Sequence, residues 1–214
     1  MFALTPEDLS GRIVDCASGP ASFNAELTAE GHNVTSCDPL YDLSAHEIHS
    51  RIEATFDTLV ASARAARDEF VWREFTSPEH LGEVRMRVMQ RFLADFPEGL
   101  QAGRYRVDSL PHLDLRDGEF DLALCSAFLF TYTELFSVDF HVAAIEEMCR
   151  VAVEARVFPL LKGYGGPSPH LRPVVGRLRD LGYRAKVRKV PYEFQRGGDE
   201  MLAVRKPGPV GSRE

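Results

Sequence analysis

The sequence has no Gly-x-Gly-x-x-Gly, no Cys-x-x-Cys pair and no apolar run near the ~20 residues that cross a bilayer. The first absence removes a dinucleotide loop, the second a zinc ribbon or dithiol redox centre, and the third a helical membrane span. Basic charge is also scarce, with 25 Lys and Arg against 32 Asp and Glu and a formal net charge of −7. The one basic cluster, Arg184, Lys186, Arg188 and Lys189, nearly alternates, as on the wet face of a strand. Because phosphate neutralisation supplies most nucleic-acid affinity, this pattern disfavours a nucleic-acid partner. Glycine and proline together make 29 of 214 residues, too few for a fibrous or low-complexity chain. The start, Met1-Phe2-Ala3-Leu4-Thr5-Pro6-Glu7-Asp8, has neither a positive n-region nor an apolar signal core, so the expectation is a cytoplasmic protein with no membrane partner.

What remains is globular composition, 44% hydrophobic and 27% charged. The expectation is one domain over residues 1–206 and a short tail over 207–214, able to bury roughly 70% of its unfolded surface. The four cysteines, Cys16, Cys37, Cys125 and Cys149, fit neither a disulfide scaffold nor a metal site and read as small core residues of a reduced protein. Three of them end strand-like runs, which would let them cluster. No metal site is expected.

Arg12-Ile13-Val14-Asp15-Cys16 is a short apolar run ending beside an acid. A small-residue turn, a helix closed by Gly31, and Asn33-Val34-Thr35-Ser36-Cys37 follow it, which is a βαβ unit. The sequon at Asn33 lies inside that strand and reads as chance. Residues 40–103 read as a two-helix insertion, a candidate lid. Ser44 and Glu47 form a capping box for the first helix; Ser77 and Pro78 open the second, and Pro97 and Gly99 are expected to end it. Trp72 and Phe75 lie between the helices, as packing residues or lid aromatics. Further strands are expected at 104–107, 120–125, 156–161, 184–190 and 200–204. Helices are expected at 138–151 and from Ser168 to Gly182. Together these predict an α/β three-layer sandwich, with a mostly parallel seven-stranded sheet, an antiparallel terminal hairpin and a helical insertion after strand two.

Ligands of such folds bind beyond the carboxyl ends of the strands, near the first strand. The turn there holds a single glycine within Ala17-Ser18-Gly19-Pro20-Ala21 and begins at Asp15. A carboxylate repels pyrophosphate but pairs with an ammonium group or a ribose hydroxyl. The residues after strands one, two and four are thus suited to a nucleoside with a cationic tail.

The stretch Val14-Asp15-Cys16-Ala17-Ser18-Gly19-Pro20-Ala21 resembles the Asp-x-Gly-x-Gly-x-Gly loop of class I S-adenosylmethionine (SAM) dependent methyltransferases, with Ala17 and Ala21 standing where that family usually has glycine. Asp38, at the end of strand two, is similar to the family's ribose-binding acid. The segments Asp108-Ser109-Leu110-Pro111 and Asp117-Gly118-Glu119-Phe120-Asp121-Leu122 are similar to those that bracket adenine and enter strand four. The resemblance implies SAM as cofactor, held by Asp15, Ala17, Ser18, Gly19, Asp38, Pro39, Asp108, Ser109, Leu110 and Ser126. It implies methyl transfer to a small-molecule O, N or S acceptor. The alternatives are a non-catalytic SAM-fold binding or scaffold protein, and a protein or nucleic-acid methyltransferase. There is no Asn-Pro-Pro-Tyr segment of the kind used on amide or exocyclic nitrogens. Catalytic candidates are His141, as a general base, and Tyr132, as the aromatic of its run expected to face a pocket, each with a plain structural reading beside it. Tyr192, Glu193 and Arg196 border the terminal hairpin turn, where charged residues are usually solvated.

Overall fold

The computed structural model describes residues 1–163 and 165–207. Seven strands form one sheet: β1 (Arg12–Cys16), β2 (Asn33–Cys37), β3 (Tyr105–Arg106), β4 (Phe120–Ser126), β5 (Ala152–Phe158), β6 (Arg184–Lys189) and β7 (Glu200–Arg205). Their order is β3-β2-β1-β4-β5-β7-β6, with β7 antiparallel to β5 and β6 and every other pair parallel. The six α-helices are α1 (Pro6–Ser10), α2 (Phe23–Ala29), α3 (Ala45–Ala65), α4 (Pro78–Gln101), α5 (Val138–Val151) and α6 (Leu171–Asp180). The expected α/β sandwich with its antiparallel hairpin and inserted helices is the architecture found.

The central strands are buried on both faces, which is why they read as nearly unbroken apolar runs. Their side chains alternate. Val14, Cys16, Ala123 and Cys125 join α5 and α6 residues such as Ile145, Met148 and Leu178 in one core. Ile13, Val34, Leu122 and Leu124 face the other way, against Phe2, Leu9, Phe23 and Leu27. Asp15 shares the second face, at the last turn before the strand ends. Cys16 sits in register with both Cys37 and Cys125, so the three thiols do form a row across the sheet. All four cysteines are free and buried, and burial pushes the Cys37 and Cys125 thiols up to about 12.

The inserted helices carry a small core of their own beyond the β3 edge. Tyr41, Ile48, Ile52, Phe92, Phe96 and Tyr105 fill it, and the Tyr41 ring lies 5.2 Å from that of Tyr105. Ser44 and Glu47 make the expected reciprocal cap at the start of α3, and the Ser77 hydroxyl accepts from His80 N at the start of α4. Contrary to expectation, α4 does not stop at Pro97 but runs on to Gln101. Gly99 serves packing instead of termination, since a Cβ there would overlap the Tyr105 ring. Several other boundaries also differ, the starts of β5 and α6 by three residues or more. β5 starts at Ala152, which is extended directly after the last helical residue, and it stops at Phe158 because Pro159 has no N–H for the ladder. α6 begins at Leu171, because the Ser168 hydroxyl accepts from His170 N and holds that stretch as a turn.

The connector between α3 and α4 crosses the carboxyl edge of the sheet to reach the β6–β7 loop. Val71 N donates to Phe194 O at 2.7 Å, Arg196 N donates to Glu69 O at 2.8 Å, and Phe70 stacks on Phe194 with ring centroids 4.6 Å apart. Trp72 and Phe75 also meet Phe194 edge-on, so both are packing residues, though against the terminal hairpin and not merely between the helices. At the amino end, the buried Arg156 makes two bonds of 2.9 Å to Asp8, one of 2.6 Å to Glu154, and one to Phe2 O. This network pins the first residues across the strand ends. Among the described residues no helix is long and apolar enough to cross a membrane, and no cluster of His, Cys, Asp or Glu is placed to hold a metal. The expected tail lies outside the described residues, apart from Pro207.

Candidate active site

A cavity of about 640 Å³ opens above β1 and β4. Its floor is Asp15, Leu124 and Ser126; the turn after β1 supplies Ala17, Ser18, Pro20 and Ala21. One wall is the amino-terminal stretch Met1 to Leu4, held down by the Arg156 network. The other is one face of α4, where Arg85, Val88 and Met89 fall at helical spacing. Pro191 closes it from the β6–β7 loop. Ordinary sheet topology positions the floor, whereas the walls come from segments far apart in sequence.

The turn is fixed from beneath. Asp38, at the end of β2, accepts from Gly19 N through Oδ2 at 2.9 Å and from Leu40 N through Oδ1 at 2.8 Å. The Tyr41 hydroxyl donates to Gly19 O at 2.9 Å, and Ser18 N donates to Cys37 O. Asp15 differs. The residue is 6% exposed, and its carboxylate has the Ser18 hydroxyl, at 2.6 Å, as its one hydrogen-bond donor among the described residues. Burial pushes its pKa up to about 7, helped by the charge of Asp38 and opposed by the Ser18 bond. Burial with so few partners is costly for the ionised form of the acid.

Among the described residues three non-glycines adopt left-handed backbone, Ala3 at φ 47°, Ala17 at φ 55° and Ala127 at φ 50°, and all three line this cavity. Strain of this kind gathers at functional sites. Ala17 keeps the left-handed geometry of a glycine position, and its methyl, like that of Ala21, lines the cavity without filling it.

Of the residues expected at the site, Asp15, Ala17, Ser18 and Ser126 meet in the cavity. Gly19, Asp38 and Pro39 sit just outside it and shape the turn. Asp108 accepts from Asp114 N at 2.9 Å and from Arg106, so it organises its own loop. Ser109 is exposed and Leu110 belongs to the core; none of these three lines the cavity. Neither catalytic candidate reaches it. His141 is fully buried, with Nδ1 2.7 Å from Ser137 O and Nε2 2.9 Å from Leu129 O, which ties the start of α5 to the loop after β4. Tyr132 is 48% exposed and packs beside Phe128. Tyr192 lies on Phe158, and Arg196 donates through Nε to Asp68 O. The sequence reading missed Met1 to Leu4, Arg85, Val88, Met89 and Pro191, while Ala127, expected with Ser126 after β4, does line the cavity. Helical spacing would have found only the α4 face, without saying what it covers.

No protein-family profile matches the chain. It is 32% identical over 207 residues to the uncharacterized protein MJ0045 of Methanocaldococcus jannaschii, covering 96% of this chain and 90% of that one. Among solved structures, it matches an O-methyltransferase (NcsB1) from neocarzinostatin biosynthesis, solved with S-adenosyl-L-homocysteine (SAH) and 1,4-dihydroxy-2-naphthoic acid. That match has TM-score 0.51 and 14% identity, over 95% of this chain and 52% of that one. It also matches a SAM-dependent methyltransferase from Aquifex aeolicus, with TM-score 0.44 and 16% identity over 92% and 81% of the two chains. By its likeness to MJ0045 the chain belongs to the family of that M. jannaschii protein, and its strand order, its reversed β7 and the NcsB1 match give it the fold of the class I SAM-dependent methyltransferases.

Proposed function

We propose that this chain is a SAM-dependent methyltransferase acting on a small-molecule O, N or S acceptor. The observation that carries the reading is Asp15, a buried carboxylate facing a cavity at the switch point of the sheet with one hydroxyl as its donor. An ammonium group fits that acid, because pairing removes the penalty of burying it alone. The alanines of the turn leave the space open, and Asp38, although it holds two backbone N–H groups, keeps acceptor capacity on both oxygens for ribose hydroxyls.

Bound there, SAM would supply an electrophilic methyl carbon attached to a neutral thioether leaving group. The residues of the chain supply position. Asp15 fixes the aminoacyl end, the turn from Ala17 to Ala21 lies against it, and Ser126 marks the floor beside the reacting region. The face of α4 and the pinned amino-terminal stretch form a partial roof over the space, and the Phe194 contact holds the connector between the inserted helices beside it. Well-oriented proximity is worth up to roughly 7–11 kcal/mol, so a site whose one carboxylate, Asp15, is given to the ammonium group is sufficient for an acceptor that is already a lone-pair nucleophile. The cavity volume suits one small molecule beside the aminoacyl end. A roofed, acidic protein offers little to a nucleic acid.

Isothermal titration with SAM and with SAH tests the reading. Heat from both in the wild type, and a tenfold or greater loss for Asp15→Asn, are the expected results. No heat from either ligand would leave a non-catalytic member of the fold.

A further inference from the structure

Arg85 has no part in the reading above, yet among the described residues it is the only lysine or arginine in the cavity lining. Two other arginines of the inserted helices are neutralised, Arg64 by Glu79 at 2.6 Å and Arg91 by Glu26 at 3.5 Å. No hydrogen bond or ion pair engages the Arg85 guanidinium among the described residues. It shares its helix face with Val88 and Met89 and looks toward the β6–β7 loop, where its charge acts on Tyr192 against the upward push of burial and of Glu74. Glu74 itself does not line the cavity. The groups acting on Asp15 are Ser18 and Asp38, not Arg85, so acid and guanidinium serve different ends of the space. Between them the surface is apolar: Phe2, Leu4, Phe23, Val88 and Pro191.

An apolar slot ending in one unpaired guanidinium has a definite complement. The planar fork of arginine pairs bidentately with a carboxylate, and Arg85 is exposed at the mouth of the space, where an entering ligand meets it first. We propose that Arg85 is a specificity-determining residue that selects an acceptor with an apolar body and a carboxylate, holding that carboxylate at the roof while the atom to be methylated points down toward Ser126. The proposal rests on the methyltransferase reading and names the substrate class of the same site.

The test uses full-length protein saturated with SAH and three matched probe sets built on phenyl, indolyl and naphthyl rings. Each set comprises the acetate, the acetamide and the ethylamine, and binding is followed by ligand-observed NMR and titration. At least one acetate is expected to bind tenfold or more tightly than its amide and amine. Arg85→Gln should abolish that preference, Arg85→Lys should retain part of it, and SAH affinity should stay within twofold in both variants. The proposal is overturned if no acetate is preferred, if no probe binds, or if Arg85→Gln keeps the preference. It is equally overturned if Arg85→Gln weakens SAH tenfold, since the guanidinium would then serve the cofactor. Loss of SAH binding by the wild type would instead strike the methyltransferase reading, so the two failures are separable.

Discussion

Two acids end neighbouring strands, and the fold treats them differently. Asp38 is met by two backbone N–H groups, so its charge is spent inside the protein, holding the turn and the start of the segment after β2. Asp15, one strand away, is buried with a single hydroxyl for company, and its pKa rises to about 7. A charge that is already satisfied builds; one left short of partners binds. Asp38 therefore belongs to the scaffold first and to any ribose second, while Asp15 is the group whose energy improves when a cation arrives.

That contrast can be broken in stages. The largest expected effect is the pH dependence of Asp15. Its folded pKa lies above the ordinary 3.8, so the folded state holds a proton that the unfolded chain has lost between about pH 4 and 7. Stability from this group is full below pH 4 and is lost as pH rises through 7, by up to about 4 kcal/mol. Asp15→Asn should remove this slope and be the more stable protein at pH 8 by denaturant titration, while binding SAH more weakly. Wild-type affinity for SAH should rise as pH passes 7 and the acid ionises. Asp8, Asp95 and Glu154 have lowered values and act in the opposite sense, below about pH 4, which keeps them outside this window.

Next in size, Asp38→Ala strands Gly19 N and Leu40 N and should cost about 3 kcal/mol of stability, together with much of the SAH affinity. If it instead behaved like Asp15→Asn, stable but unable to bind, the division of labour between the two acids would be wrong. Phe194→Ala should cost about 2 kcal/mol, since the ring is only partly buried, and should free the roof. The single tryptophan reports this directly: Trp72 emission should shift to the red and become open to acrylamide, with SAH affinity within twofold. The smallest effect is expected for Ala17→Gly, a gain of about 1 kcal/mol or less, because relief of left-handed strain is offset by chain entropy. A loss there would mean that the alanine methyl packs usefully.

Much of the scaffold was legible locally. The β1 and β2 boundaries, the α5 span and the caps at Ser44 and Ser77 follow from apolar runs and capping chemistry within a few residues of each position. Asp15 and Ser18 were legible because they sit where a strand meets a small-residue turn. Asp108 and Leu110 look equally suited by position, yet one organises its loop and the other fills the core. Which way a loop side chain turns depends on neighbours such as Asp114 and Arg106, which local pattern does not weigh. The same holds for His141, whose two carbonyl partners lie 4 and 12 residues away.

By itself, the sequence determined the order of strands and helices, the turn after β1 and the acids at the ends of β1 and β2, because these rest on periodicity, caps and turn chemistry. Only the tertiary structure decided what surrounds those acids. It drew Met1 to Leu4, Arg85 and Pro191 to one cavity, tied Phe70 to Phe194 across the strand ends, and left Asp15 underbonded while satisfying Asp38. Burial and pairing are properties of residues distant in the chain brought within a few ångströms, and they set both the shape of the cavity and the charge that its floor can carry.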